Sequence, residues 1–232
     1  MGTYVLVHGA WHGAWCWKRV ARLLRADGHD VYTPTLTGVG ERAHHLRPGI
    51  DLDTHIMDVV NEIRWQELSD VVLVGHSYAG VVVSGAAEHV GDAIGSIVLL
   101  DAFYTESGQA LIDLQPPAAR DAFMAAQAKG EIAMAPRPAA MFHVNADDAA
   151  WVDRMCVPHP INCFTQPLTM TGARERIARK AYVRASAYPS VPFDQSKQRA
   201  AANGWRTYDI PCGHDVMLDM PERLAEVLRE VA

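Results

Sequence analysis

A run of ten residues from Val71 to Gly80 sets the strongest constraint on how this chain folds. It reads Val-Val-Leu-Val-Gly-His-Ser-Tyr-Ala-Gly. Four apolar residues, three of them β-branched, indicate a buried strand. The small residues around Ser77 then force a tight turn into a helix that opens with Val81–Val83. A serine on such a turn is typical of a nucleophile elbow, where the hydroxyl stands above the carboxyl end of a parallel sheet.

The usual elbow pattern, Gly-x-Ser-x-Gly, is altered at its last position, where Ala79 precedes Gly80. We expect the extra methyl group to be tolerated, because the requirement there is for a small residue where helix and strand pack together. Glycine and serine also form ordinary turns. The pentapeptide alone therefore leaves open a plain strand-to-helix turn, and the rest of the chain must decide.

Composition restricts the fold size and the partners. The chain has 232 residues, of which 49% are hydrophobic, enough for a full core in one domain with an insertion. A net charge of −6 argues against nucleic acid or an anionic membrane surface as the main partner. No apolar run is long enough to cross a membrane, and the first strand begins at Thr3, so we expect no signal peptide and a cytoplasmic protein.

Neither a metal nor a cofactor is expected. The four cysteines lack C-x-x-C spacing, which favours reduced thiols over disulfides or a zinc site. The histidines lack the paired helical spacing of a metalloprotease, and no glycine-rich phosphate-binding pattern is present. The sequence leaves the oligomeric state open, with a homodimer among the possibilities.

Strands and helices alternate along most of the chain. Apolar runs predict strands near residues 3–8, 31–34, 71–74, 97–101, 180–185 and 205–209. Helical patterns fall between them, including one capped by Asp53 or Thr54 and a last one opened by Pro221. This alternation predicts an α/β fold, a doubly wound and mostly parallel sheet of about six strands.

Residues 105–172 interrupt the alternation. Prolines separate short segments rich in alanine, methionine and aromatic residues. So much apolar content fits poorly with a solvated linker. We therefore expect a helical cap at 105–172, inserted into a core formed by residues 1–104 and 173–232.

Two further motifs stand at strand ends. His8-Gly9-Ala10-Trp11 follows the first strand and His214 follows the last. Together with the elbow they resemble the α/β-hydrolase fold over nearly the whole chain. The opening Val-Leu-Val-His-Gly-Ala-Trp-His-Gly-Ala-Trp-Cys-Trp resembles the branch of plant methyl-salicylate-type esterases, hydroxynitrile lyases and bacterial carboxylesterases such as pyrethroid hydrolases.

The resemblance implies a serine hydrolase that cleaves carboxylic esters of small to medium apolar or aromatic substrates through an acyl-enzyme. Ser77 would be the nucleophile and His214 its base. The backbone N–H groups of Ala10 and Tyr78 would form the oxyanion hole. Neither His12 nor His76 lies at the position of the base, so structural or pocket-lining roles are expected for both.

The acid of the triad is where this chain departs from the pattern. In the family it usually follows the fifth strand, where this chain has Tyr188, and the next carboxylate is Asp194 in the first turn of a helix. Asp101 ends the strand after the nucleophile strand, which resembles the acid position of other α/β-hydrolases such as dehalogenases. We favour Asp101 over Asp194. Asp215, adjacent to the base, is not expected to orient it.

Lyase chemistry is disfavoured, because lyases of this branch carry threonine in place of Gly9 and lysine in place of Asp215. Ester hydrolysis is the leading hypothesis. A ligand-binding, receptor-like protein on the same scaffold and a lactone or thioester hydrolase are the alternatives. The expected partner is a small-molecule ester, with candidate contacts at Trp11, Phe103, Tyr104, Phe142, Trp151, Tyr188 and Met217, and further cap candidates at Phe123, Met124, Met134 and Met141.

Overall fold

A central sheet of six parallel strands organises the computed structural model, which describes residues 1–232. Its strands are β1 (Thr3–Val7), β2 (Asp30–Tyr32), β3 (Val71–His76), β4 (Ile94–Leu100), β7 (Arg179–Ala185) and β8 (Arg206–Ile210), and a separate antiparallel ribbon pairs β5 (Ala133–Met134) with β6 (His159–Pro160). The strand order in the central sheet is β2-β1-β3-β4-β7-β8, and every neighbouring pair is parallel. The expected doubly wound α/β sheet is confirmed, with all rather than most of its strands parallel.

Ten α-helices accompany the strands. None of them is both long enough and apolar enough to cross a membrane. In chain order they are α1 (Lys18–Ala26), α2 (Leu52–Trp65), α3 (Ala79–Val90), α4 (Pro117–Ala128), α5 (Ala146–Met155), α6 (Asn162–Thr165), α7 (Ala173–Arg176), α8 (Val191–Ala202), α9 (Val216–Asp219) and α10 (Pro221–Glu230).

The nucleophile strand lies at the centre of the core. All six residues of β3 are buried, as expected for a parallel strand covered on both faces. At Gly75, a Cβ atom would lie only 2.7 Å from both the Ala79 carbonyl oxygen and a Val83 methyl group. Glycine at this position therefore lets α3 return directly against the strand from which it starts.

The start of α2 differs from the prediction. Its N-cap is Asp51, rather than Asp53 or Thr54. The Asp51 carboxylate accepts hydrogen bonds from the Thr54 N–H at 2.9 Å and the Thr54 hydroxyl at 2.7 Å. The cap thus lies three residues before Thr54, which completes a capping box instead of acting as the cap.

Residues 105–172 contain α4, α5, α6 and the two-stranded ribbon. Hydrogen bonds tie this segment to loops at the carboxyl edge of the sheet. The Trp11 indole donates to the Met134 carbonyl at 3.1 Å, and the His214 N–H donates to the Phe142 carbonyl at 2.9 Å. The segment thus contacts the loops that carry the site, while the division into core and cap at its two ends stays a prediction.

Candidate active site

Three loops at the carboxyl edge of the sheet hold non-glycine residues in left-handed backbone conformations. These residues are Trp11 after β1 (φ 66°), Ser77 after β3 (φ 54°) and Asp101 after β4 (φ 42°). Such conformations are uncommon for residues with a side chain and cost of order 1–3 kcal/mol each. Their concentration at the ends of three adjacent strands, β1, β3 and β4, marks this edge as the candidate site.

Ser77 is held in the elbow by backbone hydrogen bonds. Its N–H donates to the Leu100 carbonyl at 3.1 Å, and its carbonyl accepts from the Phe103 N–H at 3.3 Å. Ser77 is partly exposed, although its neighbours along β3 and α3 are buried. The next turn passes so close to the chain after β4 that a Cβ at Gly80 would lie 2.6 Å from the Phe103 carbonyl oxygen. The tightest packing is therefore at Gly80, while buried Ala79 accommodates its methyl group.

His214 is oriented by Asp101. The His214 Nδ1–H donates to Asp101 Oδ2 at 2.6 Å, and the Asp101 side chain is fully buried. This bond fixes the tautomer that leaves Nε2 free to accept a proton. The two residues come from the loops after β4 and β8 and meet above the sheet.

Arg184 holds the other side of the Asp101 carboxylate. Its guanidinium donates to Asp101 Oδ1 at 2.8 Å, and the Ala185 N–H donates to the same oxygen at 3.1 Å. The guanidinium also donates to Asp194 at 2.9 Å. The Asp194 side chain is 57% exposed and contacts Arg184 instead of the imidazole. Of the two aspartates considered as the acid, Asp101 alone reaches His214.

Two backbone N–H groups near Ser77, the expected oxyanion donors, have no hydrogen-bond acceptor within the protein. Neither the Ala10 N–H nor the Tyr78 N–H donates to another protein group. Both residues line the same cavity as Ser77 and His214. Gly9 permits the close approach of these loops, because a Cβ there would lie 2.8 Å from His76 Nδ1 and 3.0 Å from Ser77 Cβ. The threonine that marks lyases of this branch would meet the same contacts.

Aromatic rings enclose the His214 imidazole. Phe193 stacks on it with ring centroids 5.0 Å apart and 12° between planes, and Tyr188 lies 5.0 Å away. Tyr188 thus occupies a wall of the site at the position where the family usually has its acid. No hydrogen bond joins His214 to the Ser77 hydroxyl here, and catalytic contacts of this kind often tighten only when substrate binds.

A second carboxylate–imidazole pair is buried one residue from the base. His12 Nε2–H donates to Asp215 Oδ2 at 3.0 Å, and His12 Nδ1–H donates to the Ala10 carbonyl at 2.8 Å. Burial opposes the charged form of His12, but the Asp215 charge and hydrogen bond outweigh it and raise the pKa of His12 well above its usual value. Burial likewise opposes ionisation of Asp215, yet His12 keeps the pKa of Asp215 below its usual range. The pair joins the oxyanion loop to the loop of the base.

Four of the seven expected substrate contacts line the cavity: Trp11, Phe103, Phe142 and Tyr188. The expectation is corrected for the other three. The Tyr104 hydroxyl donates to Glu175 at 2.7 Å, the Trp151 ring packs edge-on against Trp15 at 4.9 Å, and Met217 is completely buried. Of the further cap candidates, Phe123 reaches the cavity, and Met124, Met134 and Met141 do not.

Sequence reasoning missed seven of the 16 residues in the cavity wall. The cavity is partly open to solvent. Aromatic residues in the cap and the proline at the start of α8 indicate an apolar surface but not which side chains face the cavity. The turn before α8 carries no sequence signal for a cavity wall. The lining residues not predicted are Leu111, Gln115, Arg137, Phe164, Ser190, Pro192 and Phe193.

A buried cluster of His55, His159 and Cys163 lies beside the elbow. The atoms of these side chains that could bind a metal ion lie within 4.8 Å of one another. Hydrogen bonds already occupy both nitrogens of His55. Its Nε2–H donates to the Thr37 carbonyl at 2.8 Å, and its Nδ1 accepts from the Tyr78 hydroxyl at 2.9 Å. The arrangement supports the Tyr78 side chain from behind the elbow.

Comparison with known proteins identifies the family of this chain. A family model described as the alpha/beta hydrolase family matches residues 4–227. The carbendazim hydrolyzing esterase of Nocardioides sp. (strain SG-4G) is 43% identical over 238 residues, which cover 98% of each chain. Salicylic acid-binding protein 2 of Nicotiana tabacum is 36% identical over 107 residues, 45% of this chain and 40% of that protein.

Solved structures share the fold. An extracellular alpha/beta-hydrolase from a Paenibacillus species, described as sharing structural and functional homology with tobacco Salicylic Acid Binding Protein 2, has a TM-score of 0.87 at 25% identity and covers 100% of this chain and 99% of its own. A pyrethroid hydrolase from Sphingobium faniae JZ-2 has a TM-score of 0.73 at 22% identity, covering 99% and 96%. The resemblance noted from the sequence is thus confirmed, and the chain belongs to the alpha/beta hydrolase family.

Proposed function

We propose that this protein is a carboxylesterase that hydrolyses small to medium esters through a covalent acyl-enzyme on Ser77. The observation that carries the proposal is the 2.6 Å hydrogen bond from His214 to buried Asp101, in the wall of a cavity that also exposes Ser77. An imidazole fixed in this tautomer beside a serine is the arrangement that activates a hydroxyl. The full-length similarity to a carbendazim hydrolyzing esterase supports the same reaction class.

The first half of the reaction forms the acyl-enzyme and releases the alcohol. His214 Nε2 takes the Ser77 hydroxyl proton as Oγ attacks the ester carbonyl, and the Ala10 and Tyr78 N–H groups stabilise the oxyanion. Asp101 stabilises the imidazolium that forms, without taking its proton. His214 then donates this proton to the departing alkoxide, which leaves as the alcohol.

The second half regenerates the enzyme. Water loses a proton to His214 as it attacks the acyl-enzyme, and the acid product leaves when Ser77 Oγ recovers that proton. The aromatic wall around His214 excludes bulk water, which strengthens every electrostatic contact inside the cavity. The same wall favours apolar or aromatic ester groups.

The decisive experiment compares wild type with Ser77→Ala on p-nitrophenyl esters of graded acyl length and on carbendazim. Wild type is expected to show burst kinetics and labelling by a fluorophosphonate, and Ser77→Ala is expected to lose both. Full activity in Ser77→Ala would refute the proposed mechanism. Slow labelling of wild type, combined with tight ligand binding and no turnover, would instead favour the receptor-like alternative.

A further inference from the structure

A single permanent charge faces the candidate cavity, and it belongs to Arg137. Of the 16 residues that line the cavity, 10 are hydrophobic, and Arg137 is the only lysine, arginine, aspartate or glutamate. The guanidinium forms no hydrogen bond or ion pair with any protein group within 4.0 Å. Other arginines near the site are neutralised by a carboxylate. Arg184 pairs with Asp101, and Arg19 of α1 pairs with Asp148 of α5.

Trp11 provides a fixed platform for this charge. The Arg137 guanidinium lies 5.9 Å from the centre of the Trp11 ring, within range of a cation–π contact. The indole is itself anchored by its hydrogen bond to the Met134 carbonyl. A cation–π contact uses the charge of the guanidinium and none of its N–H donors, which stay free for an acceptor with two oxygens.

The charge also acts across the cavity. Burial raises the pKa of the Tyr188 phenol, and the Arg137 charge is near enough to oppose part of that rise. The whole protein carries a net charge of −6, so Arg137 is a local cation on an acidic molecule. A charge held among aromatic walls is screened less than one in open water.

We infer that the substrates are esters that carry, besides the ester group, a planar anionic group, and that Arg137 binds this anionic group. Half-esters of aromatic dicarboxylic acids are examples of such substrates. The inference rests on the proposed function. The ester enters between Ser77 and His214, the aromatic part contacts Trp11 and its neighbours, and the free carboxylate pairs with the guanidinium. Arg137 is thus a specificity-determining residue.

Two substrates of matched shape test this inference. Monomethyl terephthalate carries a carboxylate where methyl 4-methylbenzoate carries a methyl group. We expect wild type to prefer the anionic ester by about 10- to 100-fold in kcat/KM at low salt, mainly through KM, as for a charge-assisted pair. Arg137→Met should lower kcat/KM for the anionic ester far more than for the neutral ester and so abolish the preference, and Arg137→Lys should keep part of it.

Arg120→Met is the matched control, because Arg120 is a cap arginine that pairs with Asp113 and does not line the cavity. It should leave the preference unchanged. An equal or reversed preference in wild type, or an equal effect of Arg137→Met on both esters, would overturn the inference.

Binding is measured separately in Ser77→Ala by isothermal titration calorimetry. Selective binding of the anionic ester that Arg137→Met removes would support the inference even if wild type hydrolysed no ester, an outcome that refutes only the proposed function. Equal binding of both esters would refute the inference alone.

Discussion

His12 and Asp215 form an ion pair in the interior, 3.0 Å apart and one residue from the base His214. Removing one partner of a buried pair leaves an uncompensated charge, which typically costs about 3–5 kcal/mol. We therefore expect His12→Gln to lower the free energy of unfolding by about that amount. The double variant His12→Gln/Asp215→Asn should recover part of the loss, because both charges are then absent. Urea unfolding measures the free energy of unfolding of wild type and of the two variants. A double variant less stable than His12→Gln would contradict this account.

The pair also predicts a pH dependence. The raised pKa of His12 contributes stability that is fully present below the usual histidine value of about 6.5 and is lost as pH rises through the folded value. The lowered pKa of Asp215 contributes stability that is present above about 3.9 and is lost as pH falls. The stability difference between wild type and the double variant should therefore be largest from about pH 4 to 6.5 and should shrink towards pH 9.

Urea unfolding of both proteins at pH 5.5, 7.5 and 9 provides this measurement. Arg223→Gln removes an exposed pair with Glu226 and serves as the control, for which no measurable pH-dependent difference is expected. A difference between wild type and the double variant that stayed constant from pH 5.5 to 9 would show that folding does not raise the pKa of His12.

Asp101 and Asp194 can be separated by matched substitutions. Asp101→Asn should reduce kcat about 10⁴-fold, as the corresponding change does in serine proteases, because the amide no longer fixes the His214 tautomer. Asp194→Asn should reduce it less than about 10-fold, since this aspartate touches only Arg184 and its side chain is largely exposed. Steady-state kinetics on one p-nitrophenyl ester decides between them. A severe loss in Asp194→Asn with an active Asp101→Asn would assign the acid to Asp194.

Much of the fold could be predicted from the sequence because its signals are local. The β-branched run at Val71–Val74 indicates a buried strand, and small residues indicate the turn that follows. The carboxyl ends of parallel strands meet at one edge of a sheet, which is why Asp101 could be favoured as the partner of His214. These inferences need strand order and direction but no side-chain coordinates.

The cavity wall could not be predicted in the same way. Phe103 and Tyr104 are adjacent aromatic residues, yet one lines the cavity and the other turns away to Glu175. Arg184 lies in a strand, where an arginine is unexpected, and its contact with Asp101 depends on how β4 and β7 pair. Side-chain direction and long-range pairing decide such contacts, and neither leaves a periodic signal.

The packing of the elbow predicts different effects for substitutions of Gly80 and Ala79. Gly80→Ala would place a Cβ 2.6 Å from the Phe103 carbonyl oxygen, a backbone atom that cannot move aside easily. We expect it to destabilise the protein by about 1–3 kcal/mol and to lower kcat, because Ser77 must shift with the helix. Ala79→Gly is the control and should cost only the helix preference, about 1 kcal/mol, with kcat retained. Equal losses of kcat in the two variants would rule out this account of the elbow.

Neutral buried histidines predict sensitivity to acid. Burial lowers the pKa of His8 to about 3 and also lowers the pKa values of His55, His76 and His159. In the unfolded chain each takes up a proton near pH 6.5, so the unfolded state gains stability as pH falls below that value. Up to four protons are taken up on unfolding, and each lowers the free energy of unfolding by about 1.4 kcal/mol per pH unit below that value.

Urea unfolding at pH 7.5, 6 and 5 tests this dependence, and we expect a steep loss of stability below about pH 6.5. His159→Gln should reduce the slope by about one proton, because this buried imidazole no longer titrates on unfolding. His89→Gln, at an exposed position, is the control and should leave the slope unchanged. Stability that stayed constant or rose as pH fell from 7.5 to 5 would mean that these imidazoles take up protons in the folded protein at least as readily as in the unfolded chain.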